Sequence, residues 1–304
     1  MTQDTKREPR ERLLSLLGRL PNLSRSISAR TLKHERFAEF ELETLILDLN
    51  GKELVPAYYV KPLRGDGPYP AILYNHAHGN EWLPGKLELL EGRRTLQRPA
   101  YAEELASMGI ASLCIDQWNF GERRGRTESA LFKELLWNGE VLWGLMVYDS
   151  LKAVDYLASR DDIDENRIGT LGLSLGSTMA WWVAALDERI KVCVDICCLT
   201  DYQSLIETNG LDGHGIYYYV PDLLTHFSAA DINALIAPRA HLALAGNLDP
   251  LTPPMGLDII DSHLQQSYQK ENAADAWQLI RSQTGHFETA EFRIEIKDWL
   301  TRWL

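Results

Sequence analysis

No stretch of this chain is apolar for long enough to cross a bilayer. The longest uninterrupted apolar run, Met179 to Leu186, falls far short of the roughly 20 residues a spanning helix needs. Basic charge is also scarce. Against 43 Asp and Glu there are 31 Lys and Arg, a formal net charge of −12. That balance excludes the basic footprint that nucleic acid or an anionic membrane requires of a partner. Cysteine is sparse, at four residues, and no C-x-x-C pair offers zinc-ligand spacing. Cys114, Cys193, Cys197 and Cys198 lie in apolar, strand-like runs, where buried reduced thiols are common. Adjacent Cys197 and Cys198 point to opposite faces of a strand and make poor disulfide partners. The first residues, MTQDTKREPRER, carry no apolar core of a secretory leader. There are no repeats, no low-complexity tract and no linker. A reducing cytoplasm is the expected home.

What is present is an ample supply of core. Hydrophobic residues make up 45% of the 304, enough for one large domain or two small ones. Residues 1–10 are charged and expected to be mobile. Leu13, Leu16, Leu17 and Leu20 recur at helical spacing from Arg12 to Leu20, and Pro21 is expected to end that helix. Its apolar face must pack on the body or on a second subunit, so a homodimer through an N-terminal arm, residues 1–40, is one expectation. From residue 41 onward, Glu41–Leu49 and Leu54–Val60 alternate like paired strands around an Asn50-Gly51 turn. Thereafter apolar runs alternate with helical patterns to the C-terminus. That order predicts an α/β domain over 41–304 with a mostly parallel sheet and helices on both faces. Ligands then belong beyond the carboxyl ends of the strands.

The stretch Arg167–Met179, RIGTLGLSLGSTM, has the most to say about chemistry. An apolar run leads into Gly172-Leu173-Ser174-Leu175-Gly176, and a small, apolar helix pattern follows. A serine presented on so sharp a strand-to-helix turn needs small residues two before and two after it. A serine hydroxyl also needs a base, and the base needs an orienting carboxylate. The run His241–Ala245 ends in Gly246-Asn247-Leu248-Asp249, and the last strand is followed by Thr284-Gly285-His286. Ser174, Asp249 and His286 therefore stand in the chain order expected for a serine elbow on such a sheet. Asp201 is the rival acid, one strand earlier, and Asp195 is read as structural.

An oxyanion hole needs two converging N–H donors. Leu175, following the serine, supplies one. The loop Asn75-His76-Ala77-His78-Gly79-Asn80 supplies the other, with His78 favoured over Gly79. His76 and His78 could instead begin a metallo-hydrolase pattern, H-x-H-x-D-H, but Asn80 and Glu81 occupy its last two positions.

These segments resemble the α/β-hydrolase superfamily, and most of all its dienelactone hydrolase and acetyl xylan esterase-like group. PAILYNHAHG resembles the strand and oxyanion loop, RIGTLGLSLGS the elbow, HLALAGNLDPLTPP the acid loop, TGHF the histidine loop, and DQWNFGER the loop after the fourth strand. The resemblance runs from about Glu41 to the C-terminus. It implies an eight-stranded, mostly parallel sheet with insertions at the strand C-terminal ends. Ala77 departs from the glycine of the family's HG pair. Ser174 stands where dienelactone hydrolases proper use Cys, and Leu175 where glucuronoyl esterases carry Arg.

Two insertions, 117–138 and 201–235, would overhang the serine. They hold Trp118, Phe120, Arg123 and Trp137, and then His214, Tyr217, Tyr218, Tyr219 and His226. Trp118, Phe120, Arg123 and Tyr218 are the candidate substrate contacts. The expected activity is a serine esterase for small to medium acyl groups that needs no cofactor and acts on a small-molecule ester. A serine peptidase or acyltransferase would share the triad. A metal-dependent hydrolase or a non-catalytic binding protein are the readings from other classes.

Overall fold

In β4, Tyr69–Asn75, residues alternate between two cores. Ala71 and Leu73 enter one cluster, Ile72 and Tyr74 the other, as the period of two along a strand requires. A sheet buried on both faces follows. In the computed structural model, which describes residues 6–304, that sheet has nine strands in the order β1-β2-β3-β5-β4-β6-β7-β8-β9. These are β1 (Ser28–Arg36), β2 (Phe40–Asp48), β3 (Val55–Pro62), β4, β5 (Ala111–Ile115), β6 (Ile163–Leu173), β7 (Ile190–Ile196), β8 (Ala240–Gly246) and β9 (Trp277–Ser282). The first three pairings are antiparallel and the remaining five parallel.

Helices cover both faces. One core takes in side chains from α1 (Arg7–Ser15), α5 (Leu142–Ala158), α6 (Leu175–Leu186), α9 (Ala229–Ala234) and α10 (Pro254–Lys270). The opposite core is closed by α2 (Glu88–Glu91), α3 (Tyr101–Ser107) and α11 (Ala290–Trp303). The insertions hold α4 (Glu128–Trp137) after β5, and α7 (Tyr202–Glu207) and α8 (Leu223–His226) after β7. All four cysteines are buried free thiols. No helix of the described residues is long and apolar enough to cross a membrane.

The N-terminal region departs from expectation. The sheet has a ninth strand, β1, inside the segment expected to be an arm. Every residue of β1 is exposed or nearly so, so it carries no alternating pattern and is held by its backbone ladder to β2. Its outer edge is interrupted by a bulge between Thr31 and Lys33 and carries Arg30, Lys33 and Arg36, features that discourage edge-to-edge pairing. The first helix runs Arg7–Ser15 rather than Arg12–Leu20. The chain leaves it through Gly18, at φ +76°, so it stops well before Pro21. Residues 1–5 of the expected mobile segment lie outside the described residues, and residues 6–10 are fixed. Lys6 Nζ donates to the carbonyls of Ala234 and Ala237. Arg10 donates to Ala185 O and Leu235 O, each at 2.9 Å. Leu13 and Leu17 are fully buried. Of the two placements expected for the apolar face, Leu13 and Leu17 thus take the first, against the body of their own chain.

Because Leu13 sits at 0% exposure in the main core, Leu13→Ala should cost about 2–5 kcal/mol of stability. Urea unfolding followed by circular dichroism measures this. A loss below about 0.5 kcal/mol would mean that α1 is not docked in solution.

Candidate active site

β6 climbs through the middle of the sheet, and α6 leaves it one residue later, so the backbone reverses at Ser174. Its φ of 60° and ψ of −118° are costly for a residue with a Cβ, by about 1–3 kcal/mol. Contacts on every side hold it there. Ser174 N–H donates to Ile196 O at 2.9 Å, and its carbonyl accepts from Thr178 N–H at 3.0 Å. The flanking glycines are required by space. A Cβ on Gly172 would lie 2.4 Å from Gly176 C, and one on Gly176 would lie 1.9 Å from Asn75 O. Below the turn, Asp195 accepts from His241 Nε2 at 2.7 Å and from Ser177 Oγ at 3.3 Å. All three side chains are completely buried. Burial pushes the Asp195 carboxyl above its ordinary range, opposed by His241. This network ties the first turn of α6 to β7 and β8.

Asp249 and His286 arrive from the loops after β8 and β9. Leu248 N–H donates to Thr284 O at 2.9 Å, which joins the two loops. His286 Nδ1 lies 2.6 Å from Asp249 Oδ2, and Asp249 Oδ1 accepts from Leu251 N–H at 2.9 Å. Asp249 is 2% exposed, while His286 is only partly covered. With Nδ1 donating to the carboxylate, Nε2 is left with its lone pair. No hydrogen bond closes between His286 and the Ser174 hydroxyl among the described residues; such contacts commonly tighten only around substrate. Asp201, the rival acid, is committed elsewhere. Its Oδ2 caps α7, accepting from Ser204 N–H at 2.9 Å and Ser204 Oγ at 2.7 Å.

Leu175 occupies the first position of α6, where a helix N–H has no partner within the helix. His78 lies in the loop after β4, and its ring is fixed on several sides. Asn80 N–H donates to Nδ1 at 3.0 Å, so Nε2 carries the proton that meets Glu128 Oε1 at 3.1 Å. Tyr217 stacks on the ring at 5.2 Å, and Trp82 and Phe120 meet its edge at 5.2 and 5.3 Å. His76 is fully buried. Gln117 N–H donates to its Nε2, and its Nδ1 bonds Ala77 O, both at 3.1 Å. Burial lowers its pKa to about 4. All four ring nitrogens are therefore occupied by protein groups. Among the described residues no group of three or more His, Cys, Asp or Glu gathers as a metal site.

The candidate substrate contacts separate by burial. Arg123 is paired with Glu53 at 2.6 Å and Asp149 at 2.9 Å, and its guanidinium covers the Trp118 ring at 4.7 Å. Arg123 and Trp118 thus support the first insertion from within. Phe120, 1% exposed, wedges between His76 and His78. Tyr218 is buried, stacked on His214 at 5.1 Å. His214 Nε2 donates to Leu251 O at 3.1 Å, which links the second insertion to the acid loop. Trp137 faces solvent at 92% exposure, and His226 lies over α1 beside Arg12. Glu88, Glu128 and the part-exposed Trp82 were not singled out from sequence. No motif marks them, and only the loop's course brings Glu128 and Trp82 to His78 and Glu88 to the Ala77 amide.

Comparison with known proteins finds relatives in both sequence and structure. A family model described as acetyl xylan esterase (AXE1) matches residues 128–221. The Bacillus subtilis (strain 168) protein named "Putative hydrolase YtaP" is 52% identical over 297 residues, covering 98% of this chain and 99% of its own. Among solved structures, the glucuronoyl esterase from Solibacter usitatus superposes with a TM-score of 0.72 at 14% identity, over 99% of this chain and 93% of its own. The acetyl xylan esterase from Paenibacillus sp. R4 gives 0.66 at 17% identity, over 100% and 95%.

Strain at Ser174 has a measurable consequence. Glycine tolerates this φ, so Ser174→Gly should raise stability by about 1 kcal/mol, strain relief outweighing the added unfolded-state entropy. Ser174→Ala, which keeps the Cβ, should not. Equal unfolding midpoints for the two variants in urea would argue that the turn is unstrained.

Proposed function

Because the chain belongs to the α/β-hydrolase family that includes the B. subtilis hydrolase to which it is 52% identical, we propose that it is a serine carboxylic-ester hydrolase for small to medium acyl groups. The observation that carries this reading is the histidine 2.6 Å from a buried carboxylate, on the loops after β8 and β9 of the same parallel sheet whose β6 ends at a serine held at φ 60°. His286 Nε2 takes the Ser174 proton as Oγ adds to the ester carbonyl. Leu175 N–H and His78 N–H receive the charge that develops on the carbonyl oxygen. Collapse expels the alcohol, which takes the proton back from His286. Water, deprotonated by the same imidazole, then releases the acid and regenerates the serine. Asp249 keeps the imidazole in the required tautomer and steadies its charged form.

The short acyl range rests on the insertions. Phe120, Tyr217 and Tyr218 are buried, and they pack around the oxyanion loop and behind His214. Each methylene accepted by an apolar pocket is worth about 1–3 kcal/mol, so rates should grow with chain length until the wall is met and then fall steeply. The acetyl xylan and glucuronoyl esterases among the structural relatives fit an ester substrate. The four buried free thiols fit a reducing, cytoplasmic location.

A fluorophosphonate should add once to the wild type and not to Ser174→Ala, read by intact mass. Wild type should hydrolyse p-nitrophenyl acetate to butyrate best, and octanoate and longer esters poorly. Equal labelling of both proteins would remove Ser174 as nucleophile, and a maximum at decanoate or beyond would sink the short-pocket reading. Asp249→Asn should lower kcat roughly a thousandfold or more with KM little changed. Asp201→Asn should instead cost about 1 kcal/mol of stability through its lost cap and leave kcat near wild type. The reverse ranking in steady-state kinetics would move the acid to the loop after β7.

A further inference from the structure

Beneath the loop that follows β4 lies a buried ion pair that the reaction as described does not use. Glu88, at the start of α2, is 1% exposed. Its Oε1 and Oε2 accept from Ala77 N–H at 3.2 and 3.1 Å. Oε1 also accepts from Tyr74 OH at 2.8 Å. Arg93 Nε stands 2.7 Å from Oε2, and its side chain is 8% exposed. The same guanidinium lies against Gly79. A Cβ there would fall 2.2 Å from Arg93 Nη1, so only glycine lets the arginine reach under the loop. One carboxylate and one guanidinium therefore touch the residues on both sides of His78.

We propose that the Glu88–Arg93 pair is the positioning device of the oxyanion hole. Glu88 turns the Ala77 N–H downward, which leaves the next amide, that of His78, facing the reacting carbonyl. Arg93 balances the carboxylate, whose negative charge would otherwise oppose the charge gathering on the carbonyl oxygen a few atoms away. This inference rests on the serine-esterase reading. It adds residues that never touch substrate and act through the loop.

The signature is selective for the transition state. A misplaced oxyanion donor weakens binding of the tetrahedral species and leaves ground-state binding almost untouched. In Glu88→Gln, kcat for p-nitrophenyl acetate, counted per serine titrated with a fluorophosphonate, should fall about 10- to 100-fold, with KM within about threefold. The inhibition constant of an aryl trifluoromethyl ketone, which adds to the serine and places an oxyanion in the hole, should weaken by the same factor. That of the matching methyl ketone should not. Tyr74→Phe, which removes only one donor to Glu88 and keeps the ring, should give the same pattern at about two- to fivefold, and it decides the matter alone if Glu88→Gln does not fold. A purely structural role would lower the melting temperature or the titrated fraction while kcat per titrated serine stayed within twofold of wild type, and that result overturns the inference. So does a fall in kcat without the parallel loss of fluoroketone affinity. A wild type that takes up no fluorophosphonate would instead overturn the serine reading itself.

Discussion

The site depends on how closely the start of α6 approaches the end of β4. Gly176 comes so near Asn75 O that a single methyl there would sit 1.9 Å away. This contact sets the distance between the strand that ends at Ser174 and the loop that holds His78, to which the proposed function assigns the nucleophile and an oxyanion donor. Asn75 fixes the register from the other direction. Its Nδ2 donates to Thr170 Oγ1 at 2.8 Å and to Leu171 O at 3.3 Å, which clamps the end of β4 to β6 three residues before Ser174. A polar side chain in the middle of a sheet would be a cost without partners. Here its bonds join the two strands whose ends must meet.

Buried charge is used in the same manner around the turn. Asp195, His241 and Ser177 support α6 from the core, and Glu88 with Arg93 supports the facing loop. Removing one partner of such a buried pair costs about 3–5 kcal/mol, whereas exposed pairs contribute little. The strained φ of Ser174 needs supports of that strength, because a backbone held in a sparsely populated region persists only where its surroundings over-determine it.

How much of this could be read from the chain differs with the kind of interaction. The elbow was legible because its constraint is local. Two glycines flanking a serine by two positions are demanded by atoms within the same turn, so the demand is written in adjacent letters. The parallel strands were legible through their apolar runs. Asp249 and His286 could be placed because each follows such a run directly, although their 2.6 Å contact could not. β1 was invisible because no residue of it is buried, and burial is what imprints a period on a strand. The helix at 7–15 was read too late because Leu20 extends its spacing past the turn at Gly18. Glu88 and Glu128 were silent for another reason. A buried carboxylate that meets a loop amide or an imidazole depends on the path of a loop, and nothing in its neighbours marks it. Arg123 misled for the converse reason. An arginine beside aromatics suggests a substrate contact, but here its partners are the protein's own Glu53 and Asp149.

These contacts bear on whether the insertions behave as a lid. α4 reaches the oxyanion loop through Glu128 and His78, and the segment between α7 and α8 reaches the acid loop through His214 and Leu251 O. Between those two points Tyr217 and Tyr218 pack on His78, Trp143 and His214. Swinging either insertion outward would break a hydrogen bond to the loop of His78 or the loop of Leu251 and expose buried aromatic rings. Apolar area costs about 25 cal/mol per Å² to return to water, and each such ring buries some 150–250 Å², so opening the pair would cost several kcal/mol before any polar contact is counted. Loops that open in each catalytic cycle come from the weakly packed end of a structure, and these are not weakly packed. The packing therefore argues for fixed insertions rather than a lid. Under the proposed esterase function, selection among esters would come from the shape of a rigid aromatic boundary, and the same rings hold the His78 imidazole in place.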